Sequence, residues 1–359
     1  MKSPQPAIKE LQPGTDGSFE KACEYFNESR GMDRTRLQWR WEYAGLPGTP
    51  SVFIALEDES GFSGTVGVLP IVLNRDGSKE LSGKIDTVLV AQKYRGKGQY
   101  KRMVNAARDR CRELGYRSLW GITSADKVYE NIGFKVLSAV LESYSATLSM
   151  GEAIVELKSS GRPVSRRVLS AGKQVALALY FKLGGLVHAV DSAGRLEAVI
   201  HLPDEAGMRS IYGALLERYP GLVRPEMTDQ YLRWRITENP SIVSHAVSVY
   251  ENGALKAYAV ATSGNGVNAL ITELVFLSSE AGGLCLKTLL ALLCGAGFRK
   301  ADYVGNVKNG LAMQVLALLR RYGFMKVNAV SFIYMPLSNE LPFDIGCWHV
   351  NGLWTEGYR

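Results

Sequence analysis

The strongest constraint on this chain is that it repeats itself. Arg40-Trp41 is followed by Pro47, and Arg233-Trp234 is followed at the same spacing by Pro240. After each pair come alternating apolar stretches, residues 51–56 with 65–73 and residues 247–250 with 257–261, which have the period of hairpin strands. A β-branched run, Ile85-Asp86-Thr87-Val88-Leu89-Val90, is matched by Leu270-Ile271-Thr272-Glu273-Leu274-Val275-Phe276. Each run leads through a glycine-containing turn into a helical pattern, residues 100–114 and 284–293. A further strand (118–122; 301–304), a short helix and a Gly-Phe pair close each copy. Gly133-Phe134 and Gly323-Phe324 recur at nearly the offset that separates the two Arg-Trp pairs, so one unit has been used twice.

Strands alternating with helices in this order predict an α/β (α+β) fold in two tandem domains. The 359 residues suit that number at roughly 150 residues per domain. The first domain is expected over residues 1–157 and the second over 196–337. Residues 158–195, rich in Ser, Gly and Arg around Pro163, read as a basic linker followed by an apolar helix. Residues 338–359 form a tail whose Trp348, Trp354 and Tyr358 give it the aromatic density of a segment that packs on a domain.

A formal net charge of +7 favours a polyanionic partner, whether a nucleotide-bearing co-substrate, an anionic sugar, nucleic acid or a phospholipid surface. No stretch interleaves basic and aromatic residues as nucleic-acid modules do, so no nucleic-acid partner is expected. The most apolar stretch, residues 175–190, is interrupted by Lys182 and His188 and falls short of the roughly 20 residues a membrane span requires. Arg162, Arg166, Arg167 and Lys173 precede apolar residues 175–181. Residues 162–187 therefore form either a linker helix packed between domains or a surface that touches a membrane. The N-terminus has no apolar run of a secretory signal. The five cysteines are scattered with no Cys-x-x-Cys pair, and the four histidines lack ligand spacing. A cytoplasmic protein without disulfides or a metal site is expected.

Between the strand ending near Val90 and the helix starting near Gly98 lies Tyr94-Arg95-Gly96-Lys97-Gly98-Gln99-Tyr100. A helix N-terminus presents unpaired N–H groups and positive dipole to an anion. Gly96 and Gly98 let the backbone approach closely, and Arg95 and Lys97 add charge. A dinucleotide fingerprint fails, because its third glycine would be Lys101. A P-loop fails at Gly83-Lys84-Ile85. Read alone, the segment is equally a strand-to-helix turn with solvated basic residues.

Val90-x-x-x-Tyr94-Arg95-Gly96-Lys97-Gly98 resembles motif A of the GNAT acetyltransferase superfamily, and Tyr129-Glu130-Asn131-Ile132-Gly133-Phe134 resembles its motif B, in the family's order and near its spacing. The loop departs from the family at Tyr100, where glycine or alanine is usual. The resemblance implies two GNAT-like domains, each a mixed, mostly antiparallel sheet flanked by helices. It implies acyl-CoA, with acetyl-CoA the expected form, as co-substrate. The pyrophosphate would be held by Arg95, Gly96, Lys97, Gly98, Gln99, Tyr100 and Lys101, and the acyl and pantetheine arm by the backbone of Val88, Leu89 and Val90. Tyr129 matches the family's general acid, against a plain packed aromatic. Asp86 stands where many relatives carry a carboxylate base, against a solvated strand-end carboxylate. By strand alternation Asp86 should share a face with Val88 and Val90.

By this resemblance the acceptor is the amine of a small molecule or sugar, with bacterial surface-polysaccharide and antibiotic-modifying enzymes as plausible neighbours. The alternative is a non-catalytic acyl-CoA sensor or scaffold, which needs the loop but neither Asp86 nor Tyr129. Trp39, Trp41 and Trp234 either line an acceptor cleft or pack in the core. In the second copy, aligning Lys287 with Lys101 puts Ala281 opposite Arg95, Gly283 opposite Lys97 and Leu284 opposite Gly98. That copy is expected to be degenerate, with its basic residues replaced and no coenzyme A bound.

Overall fold

The computed structural model describes residues 5–14, 17–46, 48–149, 151–152, 194–240, 243–263, 266–338 and 343–352. The expected linker, its apolar helix, the membrane-contact alternative at 162–187, and Trp354 and Tyr358 lie outside the described residues, apart from the linker's last two positions. The chain forms two compact units. Unit 1 gathers the chain up to Ser138 with Arg233–Pro240 and Ser331–Phe343; unit 2 gathers Ala139–Leu232, Ser241–Val330 and the chain from Asp344 onward.

Unit 1 opens with β1 (Ala7–Glu10), α1 (Ser18–Arg30) and α2 (Arg36–Ala44). It continues through β2 (Val52–Asp58), β3 (Gly61–Arg75), β4 (Ser78–Val90), α3 (Gln99–Glu113), β5 (Ser118–Thr123) and α4 (Asp126–Glu130). α2 starts sharply because Thr35 and Gln38 form a reciprocal capping box. β3 and β4 are joined by Asp76-Gly77, both at positive φ, the two-residue turn whose twist matches paired strands. β1 to β4 pair antiparallel in sequence order, β4 pairs parallel with β5, and Ser331–Pro336 of β13 (Met325–Pro336) pair antiparallel with β5. The result is a mixed, mostly antiparallel sheet with an apolar cluster on each face. Phe19, Phe26, Trp39, Tyr43, Phe53 and Leu89 pack under α1 and α2. Ile54, Val68, Ile85, Val90, Met103, Tyr129 and Phe134 pack under α3 and α4.

Trp39 therefore lies in the core. Trp41 stacks on Trp234 at 5.1 Å, and each indole N–H donates to the other's carbonyl, at 2.8 and 2.9 Å. The two repeated tryptophans thus satisfy one another, and Gly45 makes room, since a Cβ there would lie 2.7 Å from the Trp234 Nε1.

Unit 2 holds Ala139–Thr147 of β6 (Lys135–Thr147), β7 (Leu196–Val199), α5 (Glu205–Arg218), β8 (Val223–Pro225), β9 (Val243–Glu251) and β10 (Ala254–Ser263). Then come β11 (Asn268–Phe276), α7 (Ser279–Gly295), β12 (Lys300–Asn306) and α8 (Gly310–Arg321); the short α6 (Asp229–Leu232) precedes β9. The strands run β7-β9-β10-β11-β12-β6, with β11 and β12 the parallel pair. Asn252-Gly253 turns the β9–β10 hairpin as Asp76-Gly77 does in unit 1. α7 is apolar almost all round, and is sunk against Val247, Ala259 and Ile271.

Candidate active site

In unit 1 the chain leaves β4 at Val90, makes one tight turn over Gln92–Tyr94 and reaches α3 through Arg95, Gly96, Lys97 and Gly98. Gly96 and Gly98 both sit at φ +74, a left-handed conformation that costs other residues about 1–2 kcal/mol. Nothing lies within 4 Å of where a Cβ would stand on either, so the turn faces open space. Gly98 caps α3 without any side-chain hydrogen bond, leaving the helix's first N–H groups for an external acceptor. Arg95, Lys97 and Lys101 are exposed around it. The Gln99 side chain is buried and accepts from Arg102 at 2.5 Å, so Gln99 offers its backbone. This arrangement fits a pyrophosphate.

The loop is anchored by a residue that sequence reasoning missed. Asp58, at the end of β2, accepts from the Tyr94 hydroxyl at 2.7 Å and from Lys93 at 2.9 Å. Hydrogen bonds from Ser60, Lys93 and Tyr94 hold its carboxyl well below the usual carboxylate range. Ala91 donates to the Ser63 carbonyl at 2.8 Å, and Arg95 Nε reaches back to the Val90 carbonyl at 3.1 Å. The opposite charges of Asp58, at the end of β2, and Lys93, three residues ahead of Gly96, were the available signal.

β4 carries a bulge. Thr65 faces Leu89 and Gly67 faces Asp86, which leaves Thr87 as the extra residue at φ +49. This corrects the expected alternation. Asp86 turns with Leu89 toward the α1–α2 side, beside Tyr43, while Val88 and Val90 pack on the α3 side with Tyr129. The Thr87 hydroxyl pairs with the Tyr43 hydroxyl at 2.8 Å, its carbonyl accepts from Thr65 at 2.8 Å, and its N–H donates to Asp86 at 2.6 Å. Lys84 Nζ lies 3.6 Å from the other Asp86 oxygen, and both side chains are buried. Burial, then the Asp86 charge, push the Tyr43 hydroxyl well above its ordinary pKa. Gly67 is obligatory, because a Cβ would fall on the Tyr43 and Thr87 hydroxyls. The shared threonine of the two β-branched runs was the one sequence trace of this bulge.

Tyr129 sits on α4, nearly buried, with edge-on ring contacts to Tyr100 at 5.9 Å and Phe134 at 5.3 Å. Tyr100 thus turns its ring toward Tyr129, leaving its N–H at the helix start. Gly133, at φ +94, closes the turn that returns Phe134 N–H to the Tyr129 carbonyl at 3.1 Å. The structure brings Tyr129 to the start of α3 and sets Asp86 on the opposite face of the sheet. β4 and β5 pair only over Ser82–Lys84 with Ser118–Trp120, and continue beyond as unpaired neighbours to Val90 and Thr123.

Unit 2 repeats the bulge: Val260 faces Glu273, Ala261 faces Ile271, and Thr272 is the extra residue, its hydroxyl donating to the Val260 carbonyl at 3.1 Å. The expected residue-for-residue comparison of the two loops does not hold. Only Leu277 and Ser278 separate β11 from α7, and Ala281, Gly283 and Leu284 are inside the helix. The loop has been deleted, and Ser278 caps α7 itself by accepting from Ala281 at 3.2 Å. In place of Val88, unit 2 has the fully buried Glu273, which accepts from Tyr212 and, at 2.8 Å, from Asn351. Burial raises its pKa to about 7.

Comparison with known proteins places this geometry. Residues 18–134 match the family model for the acetyltransferase (GNAT) family. No curated protein matches the chain in sequence. Among solved structures, the fold is similar to a GCN5-related N-acetyltransferase from Anabaena variabilis (10% identity, 92% of this chain and 73% of that chain, TM-score 0.60). It is similar to a tandem GNAT protein from the clavulanic acid biosynthesis pathway (14%, 94% and 100%, 0.59) and to Saccharomyces cerevisiae N-myristoyltransferase with bound myristoyl-CoA (10%, 93% and 85%, 0.60). Residues 18–134 thus form a domain of the acetyltransferase (GNAT) family, and the fold of the chain is similar to that of a tandem GNAT protein.

Proposed function

We propose that this protein is an acyl-CoA-dependent N-acyltransferase with one active site, in unit 1, which transfers an acetyl group directly to the amine of a small molecule or sugar. The observation that carries this reading is the uncapped start of α3 behind the open Gly96–Gly98 turn, flanked by Arg95 and Lys97. The corresponding helix of unit 2 is capped by its own serine and has no loop.

When bound, the thioester supplies the acyl group. Arg95, Lys97 and Lys101, with the N–H groups from Gly96 to Lys101, hold the pyrophosphate. The backbone of Val88, Leu89 and Val90, beyond the last β4–β5 pair, holds the arm. A lysine-like acceptor amine has a pKa near 10.4 and must lose a proton before it attacks. Asp86 accepts that proton on the α1–α2 side, oriented by the Thr87 N–H. Tyr129, on the other face, protonates the departing thiolate. Backbone N–H groups of the bulged strand stabilise the developing oxyanion. A thioester lying in the gap between β4 and β5 thus meets a base from one side and an acid from the other, which a sensor would not need.

All five cysteines are free, which supports a reducing, cytoplasmic setting. Among the described residues no helix is long and apolar enough to cross a membrane. The test is a screen of amines with acetyl-CoA and detection of released thiol. The reading expects an amine-dependent release that Tyr129→Phe suppresses. Binding of acetyl-CoA without turnover of any amine would favour the sensor.

A further inference from the structure

β11 and β12 pair in parallel only over Asn268–Ile271 with Lys300–Tyr303, then run on to Phe276 and Asn306 without pairing further. This gap corresponds, through the matching bulges at Thr87 and Thr272, to the one between β4 and β5. It is filled by the chain itself. Asn306 N–H donates to the Val350 carbonyl at 2.9 Å, so β12 pairs with the C-terminal segment where β11 has diverged. On the opposite wall, Gly352 lies on the β11 backbone: a Cβ there would stand 2.8 Å from the Thr272 Cα and 3.0 Å from the Ile271 carbonyl oxygen. Between them Asn351 Nδ2 donates to the Glu273 carboxyl at 2.8 Å.

We propose that the gap between β11 and β12 is a binding site for an extended peptide, and that its resident ligand is the chain's own Trp348–Gly352. Recognition is of the kind a sheet gives to an added strand, with main-chain hydrogen bonds for affinity and side-chain contacts for specificity. Asn306 and Asn309 both donate to the Trp348 carbonyl at 2.7 Å, and His349 N–H donates to the Val223 carbonyl at 2.9 Å. Trp348, His349, Val350 and Asn351 are all buried. Glu273 replaces the aliphatic Val88 of unit 1 and supplies the acceptor for the Asn351 side-chain amide. Glycine at 352 is selected because no side chain fits against Thr272. Unit 2 is therefore closed to an acyl-CoA arm by a segment that occupies the same place in the fold.

The test uses full-length Gly352→Val, whose added side chain cannot seat against Thr272. Residue-resolved hydrogen exchange should show the Asn306 amide exchanging at least tenfold faster than in the wild type, with the β10 amides unchanged. A labelled peptide of residues 344–359 should then bind this variant at least tenfold more tightly than the wild type, whose site is filled; a peptide that itself carries Gly352→Val should not bind. Unchanged protection of Asn306, or equal peptide affinity for both proteins, overturns the proposal. Should Gly352→Val fail to fold, Asn351→Ala is read at the same amide, and an unchanged exchange rate there overturns it as well.

Discussion

Gly98→Ala separates the fold from the site most cleanly, because Gly77 provides a matched control. Both glycines have left-handed backbone, at φ +74 and +83, and both have open space where a Cβ would stand. Alanine at either position therefore carries the same conformational cost, about 1–2 kcal/mol, with no steric term inside the protein. In a domain of this size that is a fall in Tm of roughly 2–4 °C per kcal/mol. The two variants should part when acetyl-CoA is titrated. A Cβ on Gly98 intrudes on the space before the uncapped start of α3, where the phosphates would accept from the backbone. Loss of one charge-assisted hydrogen bond is worth about 1.5–3 kcal/mol, so Kd should rise roughly tenfold to a hundredfold. Gly77→Ala, in a hairpin turn, should leave Kd unchanged. Thermal denaturation and calorimetry on both variants decide the matter. If Gly98→Ala lost stability as expected yet bound acetyl-CoA like the wild type, the phosphate assignment would be refuted.

Tyr129→Phe should lower kcat by about 10²–10⁴-fold at unchanged acetyl-CoA affinity, since only the acid is removed; steady-state kinetics with a verified amine show it, and an unchanged kcat removes Tyr129 from the mechanism. Asp58→Asn frees Lys93 and Tyr94 from their anchor and should raise the acetyl-CoA Kd about tenfold at 1.4 kcal/mol per decade, with kcat at saturation nearly retained. Glu273→Gln should flatten the pH dependence of stability. Its folded pKa of about 7 exceeds the unfolded value near 4.3, so its contribution is complete below about pH 4 and is lost as pH rises toward 7, a difference of a few kcal/mol. Urea denaturation between pH 5 and 8 measures this slope, and an identical slope in the variant would contradict it.

Much of the fold was legible because local chemistry and tertiary structure agree in it. The Arg-Trp pairs, the β-branched runs and the Gly-Phe turns mark the same elements in both copies, and Gly96 and Gly98 have the backbone their spacing implies. What escaped was set by pairing between distant residues. The bulge at Thr87 moves Asp86 to the Tyr43 side, and it depends on how β4 lies against β3, which strand alternation cannot register. The shortened connection at Leu277 and Ser278 was hidden because pairing Lys287 with Lys101 carries the strand register almost unchanged through the turn, which shifts the helices and treats a deletion as substitution. Asp58 reaches the loop from β2 through the side chains of Tyr94 and Lys93, and Asp58 itself belongs to no motif. The seating of Trp348–Gly352 rests on two backbone hydrogen bonds, three asparagine side chains and one glycine, and none of these leaves a periodic trace.

The central claim is that one copy alone retains acyl-CoA chemistry, and the stoichiometry of acetyl-CoA binding to the full chain tests it directly. Calorimetry should find one site per chain, lost or weakened at least tenfold in Arg95→Ala/Lys97→Ala. Two equivalents per chain, no binding at all, or a single site indifferent to those two residues would contradict it.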